Sequence, residues 1–105
     1  MTKEYQSFAQ FYPFYLNQHS QLMTRKLHYI GSTLVLVCLF SALITASFGI
    51  FLMLPVLGYG FAWVGHFFVE KNRPATFTYP LYSFVADYVM LFQAVTGKLD
   101  HSYFD

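Results

Sequence analysis

The stretch "LHYIGSTLVLVCLFSALITASFGIFLMLPVLGYGFAWVGHFFV", residues 27–69, decides the fold because its 43 residues include no Asp, Glu, Lys or Arg. A helix needs about 20 apolar residues to cross a bilayer core, so this run is long enough for two crossings. Small polar residues and Gly49 in its middle, within "TASFG", favour a tight turn. The sequence therefore predicts a helical hairpin with spans near residues 28–47 and 50–69.

The composition agrees with a membrane protein. The chain has 105 residues, enough for a single domain over 1–105, and 56% of them are hydrophobic while 10% are charged. Ordinary soluble proteins are about a quarter charged, and a chain this short has too little interior to hide so much apolar surface. Lipid or a large partner must cover it. The alternative is a buried helical pair in a soluble oligomer, and a homo-oligomer remains open in the membrane as well.

Charged residues flank the uncharged run on both sides. Arg25 and Lys26 precede the first span, and Lys71 and Arg73 follow the second. Because a hairpin brings these ends to one membrane face, the positive-inside rule predicts that both termini are cytoplasmic. The first ten residues lack the continuous apolar segment of a cleavable signal peptide. The six basic residues form no basic face, so the sequence predicts no nucleic-acid partner.

Two further helices are predicted outside the hairpin. Aromatic residues recur with a helical period in "EYQSFAQFYPFYLNQH", which favours an amphipathic helix at the membrane interface that Pro13 bends or interrupts. A third apolar helix is expected near residues 80–96, with an early proline and a final Gly97. Its apolar core of about 15 residues is short for a crossing. A re-entrant, tilted or interface-packed helix is therefore as compatible with the sequence as a third span.

Proline and glycine residues mark the second span. Pro55 is expected to kink it, because proline lacks the backbone N–H of a helix interior. Gly58 and Gly65 are seven residues apart and share a helix face, which would allow another helix to approach closely.

Three histidines should meet at the charged end of the hairpin. His19 ends the aromatic segment, His28 opens the first span, and His66 lies one turn before the second span ends. Glu70 is four residues after His66, so its carboxylate could bind the same ion or hold the imidazole Nδ1–H. Three imidazoles and a carboxylate suit Fe(II), Mn(II) or Zn(II). His101 is expected on a solvated tail, outside the site.

The remaining charged groups allow several roles. Asp87 is expected to pair with Arg73 or Arg25, or to serve the site. The two arginines would anchor phospholipid headgroups or bind a substrate carboxylate. Residues 1–105 contain no GxGxxG, Walker, CxxC or GxSxG pattern, and Cys38 is the only cysteine, so no intramolecular disulfide is expected.

The segments "FYPFYLNQHS", "RKLHYIGSTLVL" and "GYGFAWVGHFFVEKNRPATFTYPLYS" resemble the small membrane-protein family of the yeast 2-hydroxy fatty acid dioxygenase, from about Phe11 to Ser83. The resemblance implies a helical integral membrane protein that uses Fe(II) and O₂ to shorten a 2-hydroxy acyl chain by one carbon. It further implies that the iron ligands are His19, His28 and His66. The expected location is a bacterial inner membrane, or the endoplasmic reticulum in a eukaryote.

Roles for the other polar residues follow from this reading. Glu70 would orient His66 or complete the ligand set, and Arg25 or Arg73 would neutralise the carboxylate of the fatty-acid substrate. The alternative function is a non-catalytic helical membrane protein that binds haem or lipid through its interface histidines.

Overall fold

The computed structural model describes residues 5–104, which form helices and turns without a strand. The α-helices are α1 (Phe8–Asn17), α2 (Leu22–Thr45), α3 (Phe48–Phe51), α4 (Leu54–Val64) and α5 (Pro80–Thr96). A π-helical segment continues α4 over Gly65–Glu70, and single 3₁₀ turns lie at Ala75–Phe77 and His101–Tyr103. The all-helical prediction is confirmed.

The two long helical stretches are α2 and the run Phe48–Glu70, with 24 and 23 residues. Both are long and apolar enough to cross a membrane. Only 22% and 11% of their most apolar windows are buried within the protein. This exposed apolar surface needs lipid or another chain to cover it, so the membrane hairpin and the soluble oligomer both stay predictions.

Helix α2 begins earlier than the predicted span. Its first residue is Leu22 rather than a residue near 28, so Arg25 and Lys26 lie inside the helix. The predicted span began after these two charges, whereas the helix begins before them. Arg25 is only 5% exposed because its guanidinium finds carbonyl acceptors in the turn that precedes α2.

The turn of the hairpin is made by residues other than Gly49, which lies inside α3. Ala46 ends α2 in the left-handed region, at φ 52°. Ser47 then caps α3, with its Oγ accepting a hydrogen bond from the Ile50 N–H at 3.2 Å. Pro55 lies in the first turn of α4, where its missing N–H removes no helical hydrogen bond. The break in the second stretch therefore precedes the proline.

Glycines allow α2 and the second stretch to approach closely. A Cβ at Gly31 would lie 3.0 Å from the Cβ of Phe61, and one at Gly65 would lie 3.0 Å from Cγ2 of Thr24. A Cβ at Gly58 would lie 3.4 Å from a methyl group of Val35, which is ordinary contact. Gly65 thus packs closely on α2, as the spacing predicted. The second close contact between the two helices is at Gly31 of α2, which packs against Phe61.

The buried core lies between α1, α5 and the C-terminal turn. Helix α1 is capped by Ser7 and continues through Pro13 without interruption, contrary to one of the two expectations for that proline. Helix α5 has 17 residues, packs against α1 and α2, and leaves part of its apolar surface exposed. The core residues are Phe11, Tyr15, Leu16, Ala75, Tyr79, Ala86, Met90 and Leu99.

Candidate metal centre

Three histidines meet where the hairpin ends join α1. His19 lies in the turn between α1 and α2, His28 in the second turn of α2, and His66 in the π-helical segment. They are 0%, 5% and 3% exposed. One ligand nitrogen from each ring lies within 4.8 Å of the other two. The convergence expected from the hairpin topology is present in the structure.

Each imidazole has an acceptor for its Nδ1–H. His19 Nδ1 lies 2.6 Å from the Tyr15 carbonyl oxygen, and His28 Nδ1 lies 3.3 Å from Asp87 Oδ1. His66 Nδ1 lies 2.7 Å from Asn72 Oδ1. A carbonyl and a carboxylate only accept, so the rings of His19 and His28 carry their proton on Nδ1 and leave the Nε2 lone pair free.

The tautomer of His66 depends on the orientation of the Asn72 amide. Nδ2 of Asn72 donates to the Gln18 carbonyl at 3.0 Å, which leaves Oδ1 to face His66. His66 therefore donates from Nδ1, and its Nε2 is free like those of the other two rings. Metal-binding histidines are held in this way by acceptors on the far ring nitrogen.

The free ring nitrogens are close enough to share an ion. Nε2 of His19 lies 3.0 Å from Nε2 of His28. Two lone pairs at this distance repel each other unless a proton or a cation lies between them. Two nitrogens each about 2 Å from one ion are about 3 Å apart when the ligand bonds are perpendicular. The three imidazoles thus fit a borderline transition-metal ion.

The surroundings of His19 favour its neutral form. Burial lowers the pKa of His19 well below its usual value, and the neighbouring His28 and His66 lower it further. A neutral imidazole is the form that binds a metal ion. A metal ion can therefore bind His19 without displacing a proton from Nε2 of its ring.

Asp87 lies beside His28 and not beside an arginine. Its Oδ1 accepts hydrogen bonds from the Tyr15 hydroxyl and from His28, so the expected pairing with Arg73 or Arg25 is wrong for the described structure. Burial, followed by the charge of Asp87, raises the pKa of Tyr15 well above its usual value, which keeps this hydroxyl a donor.

Glu70 has partners at the start of α2 and no described hydrogen bond to His66. Its carboxylate accepts from the Ser20 hydroxyl at 3.0 Å and from the Gln21 N–H at 2.7 Å. The π-helical segment explains this placement, because its i→i+5 hydrogen bonds change the position of a residue four places after His66. The role expected of Glu70, accepting the hydrogen bond from His66 Nδ1–H, is taken by Asn72.

The two arginines have different environments. Arg25 donates from Nη1 to the carbonyls of His19 and Ser20, both at 2.8 Å, and its guanidinium carbon lies 3.6 Å from the ring centroid of Phe104. It therefore holds the His19 turn. Arg73 is exposed, with its guanidinium carbon 5.1 Å from the Phe77 ring centroid. His101 is exposed and outside the histidine group, as expected.

Two cavities adjoin the histidines. A cavity of about 820 Å³ lies between α2, α4 and α5, with mostly apolar walls that include Leu36, Leu39, Leu54, Val85, Val89 and Phe92. A small cavity of about 20 Å³ is lined by all three histidines and by Ser83. His28 and Asp87 line both cavities. The arrangement places a polar centre beside an apolar cavity.

Asn72, Tyr15 and Ser83 were not singled out from the sequence as residues of the site. Asn72 lies next to Lys71, whose left-handed backbone at φ 58° ends the π-helical segment and turns the chain back toward His66. The position of Asn72 directly after a helix end was the available signal. Tyr15 was one aromatic residue among many, and Ser83 was one small residue in an apolar helix.

Comparison with known proteins identifies the family of the chain. A protein-family model described as "2-hydroxy-palmitic acid dioxygenase Mpo1-like" matches residues 5–99. No curated protein and no solved structure matches the chain. The match includes every residue of the histidine group and of the two cavities.

Proposed function

The chain belongs to the Mpo1-like family, and from this premise we propose that it is an Fe(II)-dependent membrane dioxygenase that shortens 2-hydroxy fatty acids by one carbon. His19, His28 and His66 would hold the ion. The observation that carries the proposal is the set of three buried imidazoles whose Nδ1 positions are all occupied by neighbouring acceptors. Acceptors on the far ring nitrogen are typical of metal-binding histidines.

The large cavity supports a fatty-acid substrate. At about 30 Å³ for a group the size of a water molecule, 820 Å³ corresponds to more than 20 non-hydrogen atoms, which is enough for a long acyl chain. The apolar walls would shield the chain, and its hydroxylated carbon would lie at the end of the cavity that His28 and Asp87 line. Because the hairpin is long and apolar enough to cross a membrane, we also propose that the substrate reaches this cavity from lipid.

The proposed reaction balances without a further reductant. A 2-hydroxy acid and O₂ would give the acid one carbon shorter, CO₂ and water. The C1–C2 bond breaks, the two carbons lose four electrons in total, and O₂ takes up all four. A bound redox-active ion would supply the activation of O₂. The protein would orient the three imidazoles through their Nδ1 acceptors and would hold the acyl chain against apolar walls.

The roles of the charged residues are revised accordingly. Arg25 would act as a positioning residue for His19, since its Nη1 donates hydrogen bonds to two carbonyl groups of the turn that carries this histidine. Glu70 would fix the start of α2 against the second stretch. Neutralisation of the substrate carboxylate by Arg73 stays a prediction, as does headgroup binding. We place both termini on the cytoplasmic side, on the charge pattern alone.

The site geometry disfavours a haem held between two of the three imidazoles. The ring centroids of the three imidazoles are 4.2, 4.5 and 5.2 Å apart. A macrocycle does not fit between rings at these distances. The small cavity of about 20 Å³ beside them is likewise far too small for it.

The proposal is tested by metal content and turnover. The full chain is purified in detergent, its metals are measured, and 2-hydroxypalmitate is assayed with Fe(II) in air, with the shortened acid as the readout. We expect one equivalent of iron per chain, either as purified or after addition of Fe(II). Both the iron and the product should be lost in His28→Ala and His66→Ala.

His101→Ala is the matched control, because it removes an exposed histidine outside the centre. It should retain both metal and activity. Equal metal content in the wild type, His28→Ala and His66→Ala proteins would refute the proposed centre. Full metal content without conversion of 2-hydroxypalmitate would refute the proposed reaction while retaining the centre.

A further inference from the structure

The small cavity beside the histidines has room for one oxygen-sized group. Its volume is about 20 Å³, and a cavity needs about 10–15 Å³ to hold a water molecule. It shares His28, Tyr59, Thr76 and Asp87 with the wall of the large apolar cavity. A molecule in the large cavity could therefore extend a small polar group into the small one.

One residue that lines this space carries a buried hydroxyl group without a hydrogen-bond partner among the described residues. Ser83 is 2% exposed and lines the small cavity, and its Oγ has no hydrogen-bond partner among residues 5–104. Buried polar groups are almost always hydrogen-bonded, because leaving one unsatisfied is costly. The exception at Ser83 points to a bound group that completes its hydrogen bonding.

Asp87 offers a free acceptor at the same place. It lies four residues after Ser83 and so on the same face of α5. Its Oδ1 accepts from Tyr15 and His28, whereas its Oδ2 has no described hydrogen bond, and the side chain is 26% exposed. The carboxylate therefore has one oxygen committed to the protein and one available to a ligand.

The chemistry of the two side chains selects a hydroxyl group. A substrate carboxylate would be repelled by Asp87, and an apolar group would leave Ser83 unsatisfied. A hydroxyl group can donate to Asp87 and accept from Ser83 at once. Resting on the proposed function, we propose that Ser83 and Asp87 bind the 2-hydroxyl group of the fatty acid, with the acyl chain in the large cavity.

This subsite makes the protein selective for hydroxylated chains. An unhydroxylated fatty acid fills the large cavity equally well but leaves the serine and the second oxygen of Asp87 unpaired. Sites that are built to hydrogen-bond a substrate hydroxyl reject the analogue that lacks it. The preference for 2-hydroxypalmitate over palmitate is therefore the quantity that reports on Ser83.

The experiment measures binding and not turnover. The metal-loaded full chain in detergent is titrated with 2-hydroxypalmitate and with palmitate under argon, and the ratio of the two dissociation constants is compared between variants. Ser83→Ala should lower the preference for the hydroxy acid about three- to tenfold, the effect of one lost neutral hydrogen bond. Palmitate binding itself should be unchanged.

Thr24→Val is the matched control. Thr24 carries the other buried hydroxyl that lacks a partner in residues 5–104, but it lines neither cavity. Its removal should leave the ratio of dissociation constants at the wild-type value. Ser83→Cys keeps the approximate size of the side chain with a weaker donor, and its ratio should lie between those of Ser83→Ala and the wild type.

The outcomes separate the two proposals. If the wild type prefers 2-hydroxypalmitate and Ser83→Ala retains this preference in full, the subsite is refuted and the proposed function stands. If the wild type shows neither the preference nor turnover, both are refuted. A Ser83→Ala protein that loses its metal also contradicts the subsite, because the serine would then serve the centre and not the substrate.

Discussion

Replacement of Asn72 by alanine should weaken metal binding more than any change at Glu70. The Asn72 amide is the acceptor for His66 Nδ1 at 2.7 Å, and its own orientation is fixed by the Gln18 carbonyl at 3.0 Å. Without the amide, the His66 ring loses the partner that sets both its tautomer and its rotation. The turn containing Gln18 also loses its link to the π-helical segment.

The expected magnitude follows from the role of such acceptors. Removing the group that orients a metal-bound histidine typically lowers metal affinity 10- to 100-fold. This corresponds to about 1.4–2.7 kcal/mol of binding free energy. The other two histidines keep their acceptors, so binding should be weakened but not abolished.

The assay is an anaerobic titration of the metal-free protein with Co(II), followed by visible absorption against a competing chelator. Glu70→Gln is the control, because glutamine retains an oxygen that can accept from Ser20 or Gln21. Its affinity should stay within about twofold of the wild type, as for substitutions away from a site. Unchanged binding in Asn72→Ala together with tenfold weaker binding in Glu70→Gln would refute the reasoning and restore Glu70 as the partner of His66.

Three further predictions concern stability, each measured by denaturant unfolding of the metal-free protein in detergent micelles. Thr24→Val should raise the free energy of unfolding by about 1 kcal/mol, because it removes a buried hydroxyl that lacks a partner in residues 5–104; a loss of stability would contradict this. Burial lowers the pKa of His19 below the usual 6.5, so the unfolded chain binds more protons below that pH. Stability should therefore fall as the pH drops through about 6.5, and His19→Gln should flatten the profile. Gly31→Leu should cost about 1–3 kcal/mol, because its Cβ would lie 3.0 Å from Phe61, whereas Gly60→Leu meets nothing within 4 Å and should be tolerated.

The sequence was sufficient to predict the hairpin and the meeting of the histidines. Both depend on gross features, namely the uncharged run of residues 27–69 and the fact that a hairpin returns the chain to its starting side. His28 and His66 lie near the two ends of that run, and His19 lies just before it. Any close pairing of the two helices brings these positions together, whatever the details of packing.

The partners of the histidines could not be predicted in the same way. They depend on the local winding of the backbone and on the angle at which α5 crosses α1 and α2. Glu70 is near His66 in sequence, yet the π-helical segment directs its carboxylate to Gln21. Asp87 carries no sequence signal that would favour His28 over an arginine, because the choice is made by the packing of α5.

The boundary of α2 shows a related limit. Charged residues were read as the end of an apolar span, although Arg25 lies inside the helix and is almost fully buried. A hydropathy pattern shows where a helix can contact lipid, but it does not show which charged side chains find hydrogen-bond acceptors inside the protein. Two carbonyl acceptors satisfy the buried guanidinium, so Arg25 is accommodated in the first turn of α2.

The π-helical segment also limits how the chain can change in length. The distance along the chain from His66 to Asn72 includes one residue more than a regular α-helical ending would need, and the N–H groups of Lys71 and Asn72 both bond to the His66 carbonyl. Deleting a single residue here would restore ordinary winding and separate the amide from the imidazole. In an alignment of relatives, the side chains at residues 67–69 should therefore vary more freely than the number of residues between His66 and Asn72, and insertions or deletions should be excluded from this interval.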